Sequence, residues 1–149
     1  MPLPAALQDR VEIALDVPVI QGYGMTESGA IAQNPLPPKS RKPGSVGISV
    51  GPQIAIIDAQ GGILRPSSVG EVIVRGPGVM TGYENDQEAN RLAFHEDWFR
   101  TGDLGYLDDD GCLYIVGRRK RFSKVFGLRI NLDDVEGRLQ GQGHVAVLD

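Results

Sequence analysis

The chain has 149 residues, 41% of them hydrophobic, and a formal net charge of −4 at pH 7. That length fits one ordinary domain with a second small piece, and the acidic balance argues against general nucleic-acid binding, which shows a basic one. Cys112 is the only cysteine, which excludes a disulfide framework or a cysteine zinc cluster and suits a reducing compartment.

Leu3 to Leu15 is predicted helical: Pro4 suits a first turn, and Ala5, Leu7, Val11, Ile13 and Leu15 form a rough apolar face. Val17-Pro18-Val19-Ile20 reads as a buried strand that breaks at Gln21-Gly22-Tyr23-Gly24-Met25-Thr26-Glu27. Two glycines bracketing a tyrosine, followed by a hydroxyl and a carboxylate, suit a ligand-binding turn at a strand end. The same residues also fit a tight turn with a solvated Thr-Glu pair. Asn34 to Lys42, with three prolines and three basic residues, reads as a surface loop. Gln53 to Asp58 is a predicted strand, and Gly70 to Gly76 alternates polar and apolar between glycines, a second one. Asn85 to Phe94 is a predicted helix capped by Asn85 or Asp86. Trp98-Phe99-Arg100 and Gly105-Tyr106-Leu107 are strand-like, separated by Thr101-Gly102-Asp103-Leu104. Asp108 to Gly111 is a hairpin turn into Cys112–Val116. The spacing of these strands predicts a small barrel or curled antiparallel sheet. Beyond Gly117 come a basic cluster, Arg118 to Lys124, a capped helix from Asn131 to Leu139, and a strand at His144–Leu148.

Three polar clusters compete for chemistry. They are Thr26 with Glu27, Asp103 in its Thr-Gly-Asp-Leu turn, and the cations Arg118 to Lys124. A carboxylate at Asp103 can accept two hydrogen bonds from a diol such as ribose, or cap its own backbone as an Asp turn. The cations can hold phosphates or RNA, or form a solvated charge run. Other motifs fail. An EF-hand register would put its first ligand on Tyr106 and lacks the closing glutamate. Glu27 stands where a dinucleotide fingerprint needs its third glycine, and no G-x-x-x-x-G-K-[ST] loop occurs. His95 and His144 have no metal-type partner spacing.

Four ordered blocks, Gly22–Glu27, Gly70–Gly76, Phe99–Leu104 and Gly117–Glu136, resemble the adenylate-forming superfamily of acyl- and aryl-CoA synthetases, luciferases and adenylation domains. Met25 is more like the CoA ligases and luciferases than the peptide synthetases. The resemblance implies an α+β fold: a small distorted antiparallel β-barrel subdomain with flanking helices over residues 1–118, then the start of a small α+β lid domain over 119–149. It implies that Tyr23 stacks on adenine within the Gly22–Gly24 turn, Thr26 touches the α-phosphate and Glu27 holds magnesium. Asp103 would grip both ribose hydroxyls, supported by Arg118. Lys120 would be the hinge, and Lys124 would serve the second half-reaction. The implied cofactors are ATP or AMP, magnesium, and CoA as co-substrate. The implied reaction joins a fatty or aromatic carboxylic acid to AMP and then to a thiol.

Departures accompany the match. The phosphate-wrapping Ser/Thr/Gly-rich loop and the adenylating lysine of that superfamily are absent from these 149 residues. Arg121 stands where many members carry an acid. The chain therefore reads as a fragment, expected to be inactive alone. The alternatives are an AMP-binding regulatory or complementing module, and an RNA- or phosphate-binding protein using the basic cluster. No apolar run approaches the ~20 residues of a membrane span, and no basic-then-apolar leader precedes the first helix. A cytoplasmic setting is expected.

Overall fold

A computed structural model describes residues 3, 5–37, 39, 41–119, 122–125 and 128–131, the last two segments and residue 5 by backbone alone. The chain divides into two compact units, Met1–Gly117 and Arg118–Asp149. In chain order the elements are α1 (Ala5–Leu15), β1 (Gly22–Met25), β2 (Gly29–Gln33), β3 (Ile48–Ser49), β4 (Gln53–Ile57), β5 (Gly70–Arg75), α2 (Gln87–Ala93), β6 (Phe94–His95), β7 (Trp98–Leu107), β8 (Leu113–Arg118), β9 (Phe122–Val125) and β10 (Leu128–Asn131). The fold is mixed, and the ladders β1–β2, β2–β3, β4–β5, β5–β7, β6–β7 and β9–β10 are all antiparallel.

In the first unit, one sheet runs β1-β2-β3 and another β4-β5-β7-β6, with β8 on β7. Both paths stay open, so the strand spacing that suggested a barrel produces unclosed sheets instead. Ile31, Ala32, Val46, Ile56, Val72, Val74, Phe99 and Leu113 form the main core. Gly70–Arg75 is the most buried strand among those whose side chains are described, as its Val-Ile-Val centre requires. The apolar face expected of α1 is not covered by the described residues: Ile13 is 82% exposed and Leu15 64%.

Val17–Ile20 is not a strand. Pro18 has no N–H to give a ladder, and side chains take the polar groups of Val19. Its N–H donates to Glu12 Oε1 at 2.8 Å, and its carbonyl accepts from Arg41 Nη1 at 2.7 Å. Arg41 also pairs with Glu12 itself. This knot ties α1, the Val19 segment and the basic loop together. The Arg41 guanidinium first, then the Val19 N–H, hold the Glu12 carboxyl at about 2, down from 4.5. A depressed carboxyl stabilises the fold above its unfolded value, and that stability is lost as pH falls through the folded one. The unfolding midpoint is therefore expected to drop as pH is lowered from 4.5 toward about 2. Glu12→Gln should flatten that drop, as followed by circular dichroism during heating at each pH.

The two strand pieces around Thr101–Leu104 are one strand, β7. Its register explains how. Ile73 faces Arg100 and Glu71 faces Leu104, so Thr101, Gly102 and Asp103 together oppose Val72 alone. This is a bulge, a device that bends a strand and re-aims a side chain. Gly102 supplies its positive φ of 73°. Alpha-helix α2 begins at an Asp86 cap whose side chain accepts from Ala89 N–H, while Asn85 sits outside it at a φ of 56°. The Asp108–Gly111 turn forms as predicted, with Asp108 N–H donating to the Cys112 carbonyl at 3.0 Å.

In the second unit, β9 and β10 pair antiparallel, Phe122 with Asn131 and Val125 with Leu128. The end of the basic run thus lies on a strand that its charge pattern did not announce. The expected helix at 131–139, apart from Asn131, and the strand at 144–148 lie outside the described residues. No helix among the described residues is long and apolar enough to cross a membrane.

Candidate functional site

The opening motif is itself a strand followed by a turn. Gly22–Met25 forms β1, antiparallel to β2, with a register shift between Tyr23 and Gly24. Gly24 is needed by its neighbour: a Cβ there would lie 2.5 Å from the Gly29 carbonyl oxygen. This glycine therefore admits the backbone of β2, a use that differs from the close ligand approach its motif suggested. Thr26 and Glu27 fall in the turn between the two strands, and Met80 N–H donates to the Glu27 carbonyl at 2.7 Å.

Two of the sequence-predicted blocks meet. The Tyr23 hydroxyl donates to Asp103 Oδ2 at 2.5 Å across 80 residues of chain. Asp103 is 5% exposed and sits on the bulge. Thr101 builds that bulge from inside. Its hydroxyl donates to the Val72 carbonyl at 2.8 Å and accepts from Asp103 N–H at 3.1 Å. Next to it, Arg100 donates two hydrogen bonds to the buried Glu71 carboxylate, joining the second and third motif blocks. The site residue that sequence reasoning missed is Tyr83. Its hydroxyl donates to Glu27 Oε1 at 3.2 Å. Burial first, and the Glu27 charge next, push the Tyr83 phenol above its ordinary range.

The remaining expected residues are placed differently. Arg118 ends β8 and is exposed. Lys124 lies on β9, where only backbone is described, and Lys120 lies outside the described residues. Among the described residues no group of three or more His, Cys, Asp or Glu is arranged to hold a metal ion. Glu27 is therefore a single carboxylate of hard oxygens. Such a ligand fits magnesium, which is commonly shared with substrate phosphates.

A cavity of about 390 Å³ lies elsewhere, between α1 and the basic loop, lined by Gln8, Glu12, Asn34, Lys39, Arg41 and Lys42 among others. Two of its three cations are already paired: Arg41 with Glu12, and Lys42 with Asp108 and Asp110. Beside Glu27, the Ser28 hydroxyl is buried without a hydrogen-bond partner. Burying an unpaired hydroxyl destabilises, so Ser28→Ala should raise stability by about 1 kcal/mol. Urea unfolding monitored by circular dichroism checks this, and a loss of stability instead would refute it.

Comparison with known proteins gives a consistent result. Residues 1–84 match the family described as AMP-binding enzyme. Oxalate–CoA ligase of Arabidopsis thaliana is 43% identical over 139 residues, 92% of this chain and 27% of that protein. The 2-succinylbenzoate–CoA ligase of Bacillus licheniformis is 39% identical over 131 residues, 87% of this chain and 27% of that one. The crystal structure of ATP-bound MatB from Rhodopseudomonas palustris superposes with a TM-score of 0.75 at 30% identity, covering 93% of this chain and 28% of that one. The chain thus spans about a quarter of the length of the curated relatives it matches. With more than half of its residues inside the family match, the chain belongs to the AMP-binding enzyme family.

Proposed function

We propose that this chain carries the adenine, ribose and magnesium wall of the nucleotide site in an AMP-forming acid–CoA ligase. The observation that supports this most is the Tyr23–Asp103 hydrogen bond, which joins a candidate adenine platform to a candidate ribose ligand. The Tyr23 ring stacks on adenine within the Gly22–Gly24 strand, and Asp103 accepts from the ribose hydroxyls with Arg118 in support. Thr26 donates to the α-phosphate. Glu27 is the carboxylate that would hold magnesium, an ion that neutralises phosphate charge when bound. The substrate carboxylate attacks the α-phosphorus of ATP and expels pyrophosphate, leaving an acyl-adenylate. The CoA thiol then attacks the acyl carbon, and AMP departs. Lys120 is the hinge between these steps and Lys124 serves the second. What the protein supplies is mainly position and charge complementarity.

The substrate is a carboxylic acid. Relatives named for oxalate and 2-succinylbenzoate extend the expected fatty or aromatic class to short and dicarboxylic acids. The domain reading remains 1–118 for the end of the large nucleotide-binding domain and 119–149 for the opening of a lid, in a cytoplasmic protein. The alternative of a complementing module without its own catalysis is favoured by one observation, the exposed apolar residues Ile13 and Leu15 on α1. Titration of the chain with AMP in a calorimeter tests the nucleotide reading common to both. A saturable isotherm is expected, and its absence at millimolar AMP sinks the reading.

A further inference from the structure

Tyr83 is held more firmly than a surface tyrosine needs to be. One side chain binds both polar groups of its backbone. Asn90 Oδ1 accepts from Tyr83 N–H at 2.6 Å, and Asn90 Nδ2 donates to the Tyr83 carbonyl at 2.8 Å. Asn90 belongs to α2, and its own N–H donates to the carbonyl of the Asp86 cap at 3.0 Å. Gly82 makes the close approach possible, since a Cβ there would lie 2.9 Å from Asn90 Oδ1. The same segment grips Glu27 twice. Met80 N–H donates to its carbonyl, and the Tyr83 hydroxyl donates to its side chain at 3.2 Å.

We propose that Tyr83 is a positioning residue for Glu27: its hydroxyl holds the carboxylate in one orientation, and Asn90 clamps Tyr83 so that helix α2 sets that orientation. The consequence for function rests on reading Glu27 as the magnesium-bearing carboxylate. A carboxylate with one oxygen already engaged by a phenol offers the other in a defined direction and loses less freedom when a cation arrives.

The test has two arms on the whole chain. In the first, side-chain couplings of Glu27 measured by nuclear magnetic resonance report how many rotamers its carboxylate samples. One rotamer is expected in wild type, and averaging over several in Tyr83→Phe and in Asn90→Ala. Averaged couplings in wild type, or unchanged couplings in either variant, overturn the proposal. In the second, calorimetry measures the ratio of ATP dissociation constants without and with magnesium. Tyr83→Phe should reduce that ratio about tenfold, and an unchanged ratio overturns the positioning role. A wild-type ratio of one would instead remove magnesium from Glu27, while the Glu27 couplings still decide whether Tyr83 and Asn90 hold it.

Discussion

Gly47→Ala is expected to destabilise the chain severely. Gly47 has a φ of 96°, and a Cβ on it would lie 2.0 Å from both the carbonyl carbon and oxygen of Gln33 and 2.2 Å from Asn34 N. Those are backbone atoms at the end of β2, so no rotamer change can relieve the overlap. The surroundings leave no slack. Gly47 bridges to Leu113, whose N–H donates to the Gly47 carbonyl at 2.8 Å. Ser45, fully buried, donates to the Leu113 carbonyl at 3.0 Å and accepts from Gly47 N–H at 2.8 Å. Asn34 donates to the Ser45 carbonyl at 2.7 Å. Through this knot the β2–β3 layer meets β8, and pushing its backbones apart breaks several buried hydrogen bonds together. The loss should exceed about 4 kcal/mol, against a total of about 5–15 kcal/mol for an ordinary domain. Gly44→Ala is the matched control. Its φ is 76° but nothing lies within 4 Å of an added Cβ, so only left-handed strain of about 1–2 kcal/mol remains. Urea midpoints for the two variants measure the contrast. Equal midpoints would contradict the described approach of Gly47 to β2.

The second large effect is on binding. Asp103→Ala should weaken AMP affinity at least about tenfold, because a hydrogen bond to a charged acceptor contributes about 1.5–3 kcal/mol and the ribose diol replaces the single resting bond from Tyr23 with two. The substitution removes the acceptor but leaves the bulge, which Thr101 builds through Val72. Circular dichroism should therefore report a folded variant, and the calorimetric loss then belongs to the missing carboxylate. Tyr23→Ala should cost about 1–3 kcal/mol through lost stacking. An Asp103→Ala chain that binds AMP like wild type would end the ribose assignment, whatever becomes of Tyr23.

Much of this was legible before any coordinates. The glycine-bounded Gly70–Gly76 run, the Asp86 cap and the Asp108–Gly111 turn are local devices, and local devices are written in consecutive residues. The four motif blocks were legible for the same reason. What escaped depends on partners distant in sequence. Val17–Ile20 has strand composition, but Glu12 and Arg41 take its backbone groups. β2 has weak strand composition, Gly-Ala-Ile-Ala-Gln, and exists because β1 pairs with it. β7 passed for two strands because a bulge looks like a turn in the text; only its register against β5 reveals continuity. Tyr83 offered one faint signal, an aromatic beside Gly82 just ahead of a helix cap. Its meeting with Glu27, 56 residues earlier, is a tertiary fact.

On the proposed reading of Asp103 as the ribose ligand, the Tyr23–Asp103 bond makes nucleotide recognition an exchange. In the described chain the carboxylate is nearly buried and already satisfied by a phenol 2.5 Å away. An incoming ribose would have to compete with that phenol for the carboxylate. Affinity then reflects the difference between two sets of hydrogen bonds. A diol, with two donors, can displace a single phenol, whereas a sugar lacking its 2′-hydroxyl offers one donor for one and gains almost nothing. On that reading the resting hydrogen bond is a threshold that would favour ribonucleotides over their deoxy counterparts.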